Sequence, residues 1–285
     1  MNPSEFIHPE DAAALEALKA IPVLSKVVKY VMDIGIEQMQ TGLNLATKIR
    51  LSPQQLPQYY NLLPPICKQL DIKEPDFYLE MTPEPNAYAF GDTQTAITIT
   101  SGLVELMTTD ELRAVIAHEC GHIACHHMLY HTIAAILANA TGLMDTLVSL
   151  AAPIKYALLY WERKSELSCD RAAAYICGPQ TATSMLARLA GGSKNITADL
   201  NLAELAGQAD AYDAFCKQNY WNTTLQTYAV LNENHPFTSV RIREMLLWVA
   251  SDAYRNLVNV VSHCPNCGNT IEPDWLYCQH CGHKL

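Results

Sequence analysis

A mainly helical α+β fold, with a small antiparallel or mixed sheet and a metal-binding tail, is predicted by three changes of pattern along the chain. From Asp11 to about Gln69, and again beyond Thr108, apolar residues recur at helical spacing. Between Pro75 and Ser101 the period drops to two, in DFYLEM, NAYAF and TAITITSG, where β-branched and aromatic residues are enriched. The chain ends in two CxxC pairs with too few apolar residues around them to build a core.

Taken in order, residues 11–69 read as helices, ALEALKAIPVLSKVVKYVMDIGIEQM and LPQYYNLLPPICKQL, punctuated by Pro22, Pro53, Pro57, Pro64 and Pro65. The alternating stretch predicts three short strands, bounded by Pro83, Pro85, Gly91 and Gly102. Thr108 with Glu111 three residues later is a capping box just ahead of an apolar run, so a helix should begin there and carry Ala117–His127. Further helices are expected over about 160–176, 181–189 and 238–257, with Gly191–Asn195 and Asn232–Phe237 as loops. The resulting division is a helical region at 1–75, a main domain at 76–260 and a tail at 261–285.

At 285 residues the chain can bury a large core without a disulfide framework. Its residues are 49% apolar and 17% charged, and a net charge of -10 argues against a nucleic-acid phosphate backbone as partner. The first residues, MNPSEFIHPEDAAALEALKA, are acidic where an export signal would be basic, so a cytoplasmic location is expected. The cysteines agree: outside the tail, Cys67, Cys120, Cys125, Cys169, Cys177 and Cys216 lie scattered among apolar residues, as free buried thiols would. Thr132–Ile154 is long enough to span a bilayer and has one charge, Asp145, but Asn139, Gly142, Ser149 and Pro153 make its insertion poor. A buried helix or helix pair is the expectation, with membrane association as the lesser alternative.

The stretch AHECGHIACHH, Ala117–His127, concentrates metal-ligating side chains on the capped helix. His118 and His122 stand one turn apart on one face, close enough to share an ion, with Glu119 about 100° round beside them. A catalytic zinc needs a third protein ligand and an open position. His126 lies about 12 Å along the axis from His118, too far to share the ion. A histidine six residues past the second would serve, but Met128 stands there. Glu166, in KSELSCDRAAAY, remains, with Asp170 one turn later on the same face. One carboxylate can complete the shell while the other accepts the spare ring N–H of a ligand histidine. Alone, Glu166 and Asp170 would be an ordinary solvated helix face, and His118 and His122 a pair of hydrogen-bonded core histidines; the combination argues against both. His126, His127 and His131 are expected at the surface or in a cleft. Cys120 should point into the core, and Cys169, three residues from Glu166, is a conceivable redox-sensitive thiol.

HECGH, followed by ELSCD and preceded by NAYAFG (Asn86–Gly91), with HPFTSVRI later, resembles the zincin (gluzincin) metallopeptidases of the HtpX and CAAX prenyl protease family over roughly residues 70–250. The resemblance implies a zincin-like helical protease domain. It also implies Asn86 and Ala87 on an edge strand that pairs with an extended substrate, and His235 and Arg241 lining the cleft, His235 near the developing oxyanion. The family's clear transmembrane helices are not evident in this sequence. The mechanism implied is metal-assisted peptide hydrolysis: zinc held by His118, His122 and Glu166, with Glu119 as general base.

The tail HCPNCGNTIEPDWLYCQHCGHKL places Cys264, Cys267, Cys278 and Cys281 as CxxC, ten residues, CxxC, each pair followed by a glycine, Gly268 or Gly282. That spacing predicts a zinc ribbon with one structural zinc, which supplies most of the folding energy of so short a segment. Redox-active dithiols would instead sit at the start of a helix in a larger domain. Glu272 and Asp274 set against Lys284 favour protein recognition over nucleic acid, with Trp275 and Tyr277 as contact residues or packing for the knuckles. The expectation is therefore a two-zinc endopeptidase acting on peptide or unfolded protein substrates. The competing reading is a latent or non-catalytic zinc-binding scaffold whose ribbon mediates protein–protein interaction.

Overall fold

The computed structural model describes residues 2–21, 24–26, 28, 35–139, 145–229, 237–258, 262–271 and 275–284. They fall into two compact units, Met1–Leu247 and Trp248–Leu285. In the first, helix α1 (Pro9–Lys19) opens with proline at its first position, where no backbone N–H is needed, and the His8 ring accepts the Glu10 N–H at 3.1 Å as its cap. Helix α2 (Ile36–Thr47) leads into the sheet, and α3 (Leu63–Leu70) buries Leu63, Ile66, Cys67 and Leu70, an apolar stripe at helical spacing.

The sheet has four strands in the order β1-β2-β4-β3: β1 (Ile49–Arg50), β2 (Asp76–Glu80), β3 (Ala87–Phe90) and β4 (Ala96–Thr100). Strands β2 and β4 run parallel, from Asp76 opposite Ala96 to Glu80 opposite Thr100, and β1 and β3 are antiparallel to their neighbours. The three strands read from the alternation are present, and β1 is too short to leave a period. Every residue of β4 is buried, whereas β3 is an outer strand, half-buried throughout. Gly91 makes the turn between them at φ 88°, where an added Cβ would meet the Gln94 carbonyl oxygen at 2.1 Å.

A short helix, Ser101–Leu106, precedes α4 (Thr109–Ala124), whose residues from Ala114 to Ala124 are all buried. The capping box is present: Thr108 N–H donates to Glu111 Oε2 at 2.8 Å and Glu111 N–H to Thr108 Oγ1 at 3.3 Å. Helices α5 (Met128–Asn139) and α6 (Asp145–Cys177) divide the apolar stretch 132–154 between them, a helix pair; residues 140–144 lie outside the described ones. Among the described residues no helix is long and apolar enough to cross a membrane. Ala14 and Leu18 of α1 pack with Ile133 of α5 and Leu158 and Trp161 of α6, so the N-terminal helix belongs to the core around α6.

Helices α7 (Pro179–Gly191), α8 (Leu202–Lys217) and α9 (Tyr220–Ala229) follow. The expected loop at Gly191–Asn195 is shorter than read, because Ser193 leads into a helical turn at Lys194–Thr197; most of the loop at 232–237 lies outside the described residues. The single helix expected over 238–257 is two, α10 (Thr238–Val249) and α11 (Asp252–Val258). Ser251 starts the second, its Oγ accepting the Tyr254 N–H at 3.4 Å, and a serine-aspartate pair inside an apolar period is a cap signal that the periodicity masks.

The cap of α4 is also an anchor. Glu111 accepts Arg188 Nη2 at 2.6 Å and Nε at 2.9 Å from α7, and the Ser184 hydroxyl at 2.6 Å. Burial alone would raise the carboxyl pKa, but Arg188 and the hydroxyl donors overcome it and hold Glu111 at about 2 against 4.5 when free. Because the folded value is the lower one, this contribution is present above pH 4.5 and is lost as pH falls towards 2. Glu111→Gln should cost roughly 3 kcal/mol at neutral pH. Denaturant titrations of variant and wild type should converge as the pH is lowered below 4.5.

Candidate metal centre and cleft

His118 and His122 of α4 lie with ring centroids 5.0 Å apart and planes 77° to one another. Their Nε2 atoms converge on one carboxylate from α6: His118 Nε2 is 3.3 Å from Glu166 Oε2, and His122 Nε2 is 3.2 Å from Glu166 Oε1. All three side chains are buried, as is Glu119 at 7% exposure. Two imidazole nitrogens and a carboxylate gathered at one point, each imidazole held at its other nitrogen, form a donor set that fits a divalent cation.

Both outer nitrogens have partners. His118 Nδ1 lies 3.1 Å from Asp170 Oδ1, the relation expected of Asp170. His122 Nδ1 lies 3.2 Å from Nδ1 of His127, whose Nε2 is 3.2 Å from Asp11 Oδ2 of α1. Burial favours neutral imidazoles, yet the Glu166 and Asp170 carboxylates outweigh it at His118 and hold its pKa at about 10. At His122 burial wins over Glu166, helped by His131 and His118, and the value falls to about 3. Burial likewise keeps His127 neutral, while Asp11, despite its own burial, is kept ionised by its hydrogen bonds to His127, Ser168 and Trp161.

Two expectations are corrected by this geometry. His127 is neither at the surface nor in the cleft but 1% exposed, enclosed by His122, Asp11 and the edge of Trp161. Of its neighbours, His126 is exposed in a left-handed turn at φ 56°, and His131 does line the cleft, with Nδ1 3.0 Å from Glu162 Oε1. Arg241 is beneath the site rather than in the cleft: its Nη2 and Nε donate to Asp170 at 2.6 and 2.8 Å, and Nη1 lies 3.2 Å from Glu166 Oε2. A buried guanidinium engaged by two carboxylates is held for charge balance and is not free for a substrate. Cys169 also falls within 4.8 Å of donor atoms of both histidines. Its Sγ lies 3.8 Å from His127 Nδ1, and burial pushes its thiol pKa well above the ordinary range. Glu166 sets one oxygen against each Nε2, at 3.3 and 3.2 Å. Cys120 is fully buried, as expected, and His235 lies outside the described residues.

The donors open onto a cleft of about 230 Å³ whose facing wall is β3 with Asn86, and whose sides include Glu119 and Met128. A larger cavity of about 540 Å³, near Asp71, Asp92 and His126, includes none of the predicted site residues and no converging donor set. In the second unit, Cys264, Cys267, Cys278 and Cys281 bring their sulfurs within 4.8 Å of one another. Two matching turns do this: Gly268 N–H donates to Cys264 O and Gly282 N–H to Cys278 O, each at 2.8 Å, with both glycines at positive φ. Strands β5 (Ser262–His263) and β6 (Thr270–Ile271) pair beside the first turn. Leu276 and Tyr277 are exposed, while Glu272 and Asp274 lie outside the described residues.

A family model described as Peptidase family M48 matches residues 61–249, and one described as a zinc-ribbon domain matches residues 263–285. The chain belongs to peptidase family M48. It is 33% identical over 264 residues to the plastoglobule-localized metallopeptidase 48, chloroplastic, of Arabidopsis thaliana, a match that covers 90% of this chain and 76% of that one. A Protease HtpX homolog of Pelotomaculum thermopropionicum is 33% identical over 104 residues, 36% of this chain and 37% of that one. The S. mikatae Ste24p crystal structure aligns with a TM-score of 0.43 at 16% identity, covering 81% of this chain and 64% of that one. M48 enzymes are metallopeptidases that use zinc, so this M48 chain is a zinc-dependent protease of the HtpX and CAAX protease kind with a C-terminal zinc ribbon.

Where α4 of this M48 chain packs on α6, the contact residue on α4 is Gly121, within HECGH. A Cβ there would lie 3.0 Å from Ala172 Cβ and 3.2 Å from Cys169 Cα, tighter than ordinary van der Waals contact, so a side chain would require its neighbours to give by a few tenths of an ångström. Gly121→Ala should force the helices apart at a cost of about 1–3 kcal/mol. Zinc bound at the histidine site should weaken measurably in chelator competition while the ribbon zinc is unchanged. Gly42→Ala, where an added Cβ meets nothing within 4 Å, should leave both alone.

Proposed function

We propose that His118, His122 and Glu166 hold a catalytic zinc ion and that Glu119 is the general base of a peptidase cleaving peptide or unfolded protein substrates. The observation that carries this reading is the convergence of the two Nε2 atoms on the two oxygens of Glu166, at 3.3 and 3.2 Å, with Glu119 beside them on the cleft wall. When bound, the ion lowers the pKa of a water and polarises the scissile carbonyl. Glu119 takes the proton of the attacking water and delivers it to the leaving amine. Asp170 holds the His118 ring through Nδ1, and Arg241 balances Asp170 and Glu166 from below.

The substrate lies extended along the outer strand β3, its backbone pairing at Asn86 and Ala87, because β3 is bonded to β4 on one side and forms the wall of the cleft. His235 stabilises the oxyanion in this reading, a role taken from the family resemblance alone. Cys264, Cys267, Cys278 and Cys281 hold a second, structural zinc, and the ribbon binds a protein partner or docks within the chain. The domains of this reading are a helical region at 1–75, the peptidase at 76–260 and the ribbon at 261–285. Cys67, Cys120, Cys125 and Cys169 are buried free thiols, which supports a reducing, cytoplasmic-type compartment. With a net charge of -10, nucleic acid is not a partner, and membrane association is the less favoured alternative.

One observation favours a latent form of the same enzyme: Glu119, the proposed base, is 7% exposed. Zinc content and cleavage of an unfolded protein, measured for wild type and Glu119→Gln, test both readings. Glu119→Gln should retain two zinc ions and lose turnover by on the order of a hundred- to ten-thousand-fold. Undiminished turnover would remove Glu119 as base, and two zincs with no turnover by wild type would point to a latent enzyme or a non-catalytic zinc-binding scaffold.

A further inference from the structure

Asp11 lies in α1, outside residues 61–249 that match the M48 family model, yet it is 1% exposed and ends in the metal centre's surroundings. Trp161 Nε1 donates to its Oδ1 at 2.9 Å, the Ser168 hydroxyl donates to Oδ2, and His127 Nε2 is 3.2 Å from Oδ2. His127 turns its other nitrogen to His122 Nδ1 at 3.2 Å, with Cys169 Sγ 3.8 Å from the same His127 nitrogen. The backbone before α1 is tied down separately: His8 N–H donates to Ser168 Oγ at 2.9 Å and Arg171 Nη1 to the Ile7 carbonyl at 3.1 Å.

We propose that Asp11 is a positioning residue for the metal centre, fixing through His127 the tautomer of His122 so that the His122 Nε2 lone pair faces Glu166. This rests on the reading of His122 as a metal ligand. Two Nδ1 atoms facing one another can share one hydrogen, so one ring donates and the other accepts. A carboxylate only accepts, so His127 gives Asp11 its Nε2–H, and a neutral imidazole then has no hydrogen left at Nδ1. His122 must therefore donate from Nδ1, which leaves its Nε2 bare on the side of Glu166. Asp170 achieves the same for His118 in one step. The two histidines are thus set from opposite directions, one by α6 and the other by the N-terminal helix.

The alternative is that Asp11 only anchors α1 to α6 through Trp161 and Ser168. Asp11→Asn keeps the size and an acceptor for Trp161 but offers His127 no carboxylate. Ser168→Ala removes an anchoring hydroxyl and leaves the imidazole chain intact. In the full chain, chelator competition should show zinc at the histidine site weakened about 10- to 100-fold by Asp11→Asn, with the ribbon zinc unchanged. Ser168→Ala should lower the melting temperature without changing either affinity. Nitrogen-15 shifts of the zinc-loaded wild type should find His127 protonated at Nε2 and His122 at Nδ1, a result that does not depend on any variant folding. The opposite tautomers, an unchanged zinc affinity in Asp11→Asn, or equal loss in Asp11→Asn and Ser168→Ala would overturn the proposal. A wild type that binds zinc at the ribbon alone would overturn the ligand reading itself, and this proposal with it.

Discussion

The close approach of α4 and α6 at Gly121 is the constraint on which the rest of the site depends. The two helices pack so closely here that a methyl group in place of the glycine hydrogen would press on Ala172 and Cys169. Around that contact the chain places small residues, with Ala172 and Ala173 fully buried on α6 and Ala114 and Ala117 on α4. The capping box and the Glu111–Arg188 pair fix the other end of α4. The metal helix is therefore held at its start by hydrogen bonds and in its last turn by packing, which leaves little freedom to the donors it presents.

Such a site concentrates charge in a buried place, and the chain balances it locally. Glu166 and Asp170 face the Arg241 guanidinium and the His118 ring, whose pKa the carboxylates raise to about 10. Asp170, although buried, is held below its usual range by Arg241 and His118. Buried ion pairs of this sort give little net stability, because desolvation consumes most of the attraction. Their value lies in fixing donors in place, which a metal centre needs more than it needs stability.

Local order was legible in the sequence. The capping box, the one-turn spacing of His118 and His122, and the pairing of Glu166 with Asp170 each express a periodicity of one helix, and the three main strands express a period of two. Contacts between distant segments were not legible. Asp11 meets Ser168 across a separation of 157 residues, and nothing in HPEDAAAL marks its carboxylate as buried. His127 looked like one more histidine after HExxH because its partner lies on α1. Arg241 was identified by its place in a motif, but its direction, beneath Asp170 rather than into the cleft, is a property of helix packing. The break between α10 and α11 was hidden for the opposite reason, a cap of two residues inside a strong apolar period.

The ribbon unit follows a simpler rule, since two glycine turns bring four sulfurs together and little other core is available. Its contrast with the first unit makes one measurement the most direct check on the account: anomalous diffraction at the zinc absorption edge from crystals of the intact chain. The account predicts two peaks, one bounded by His118 Nε2, His122 Nε2 and the Glu166 carboxylate, the other among the four cysteine sulfurs. A peak at the ribbon alone, or a first peak with Cys169 sulfur in place of Glu166, would contradict it.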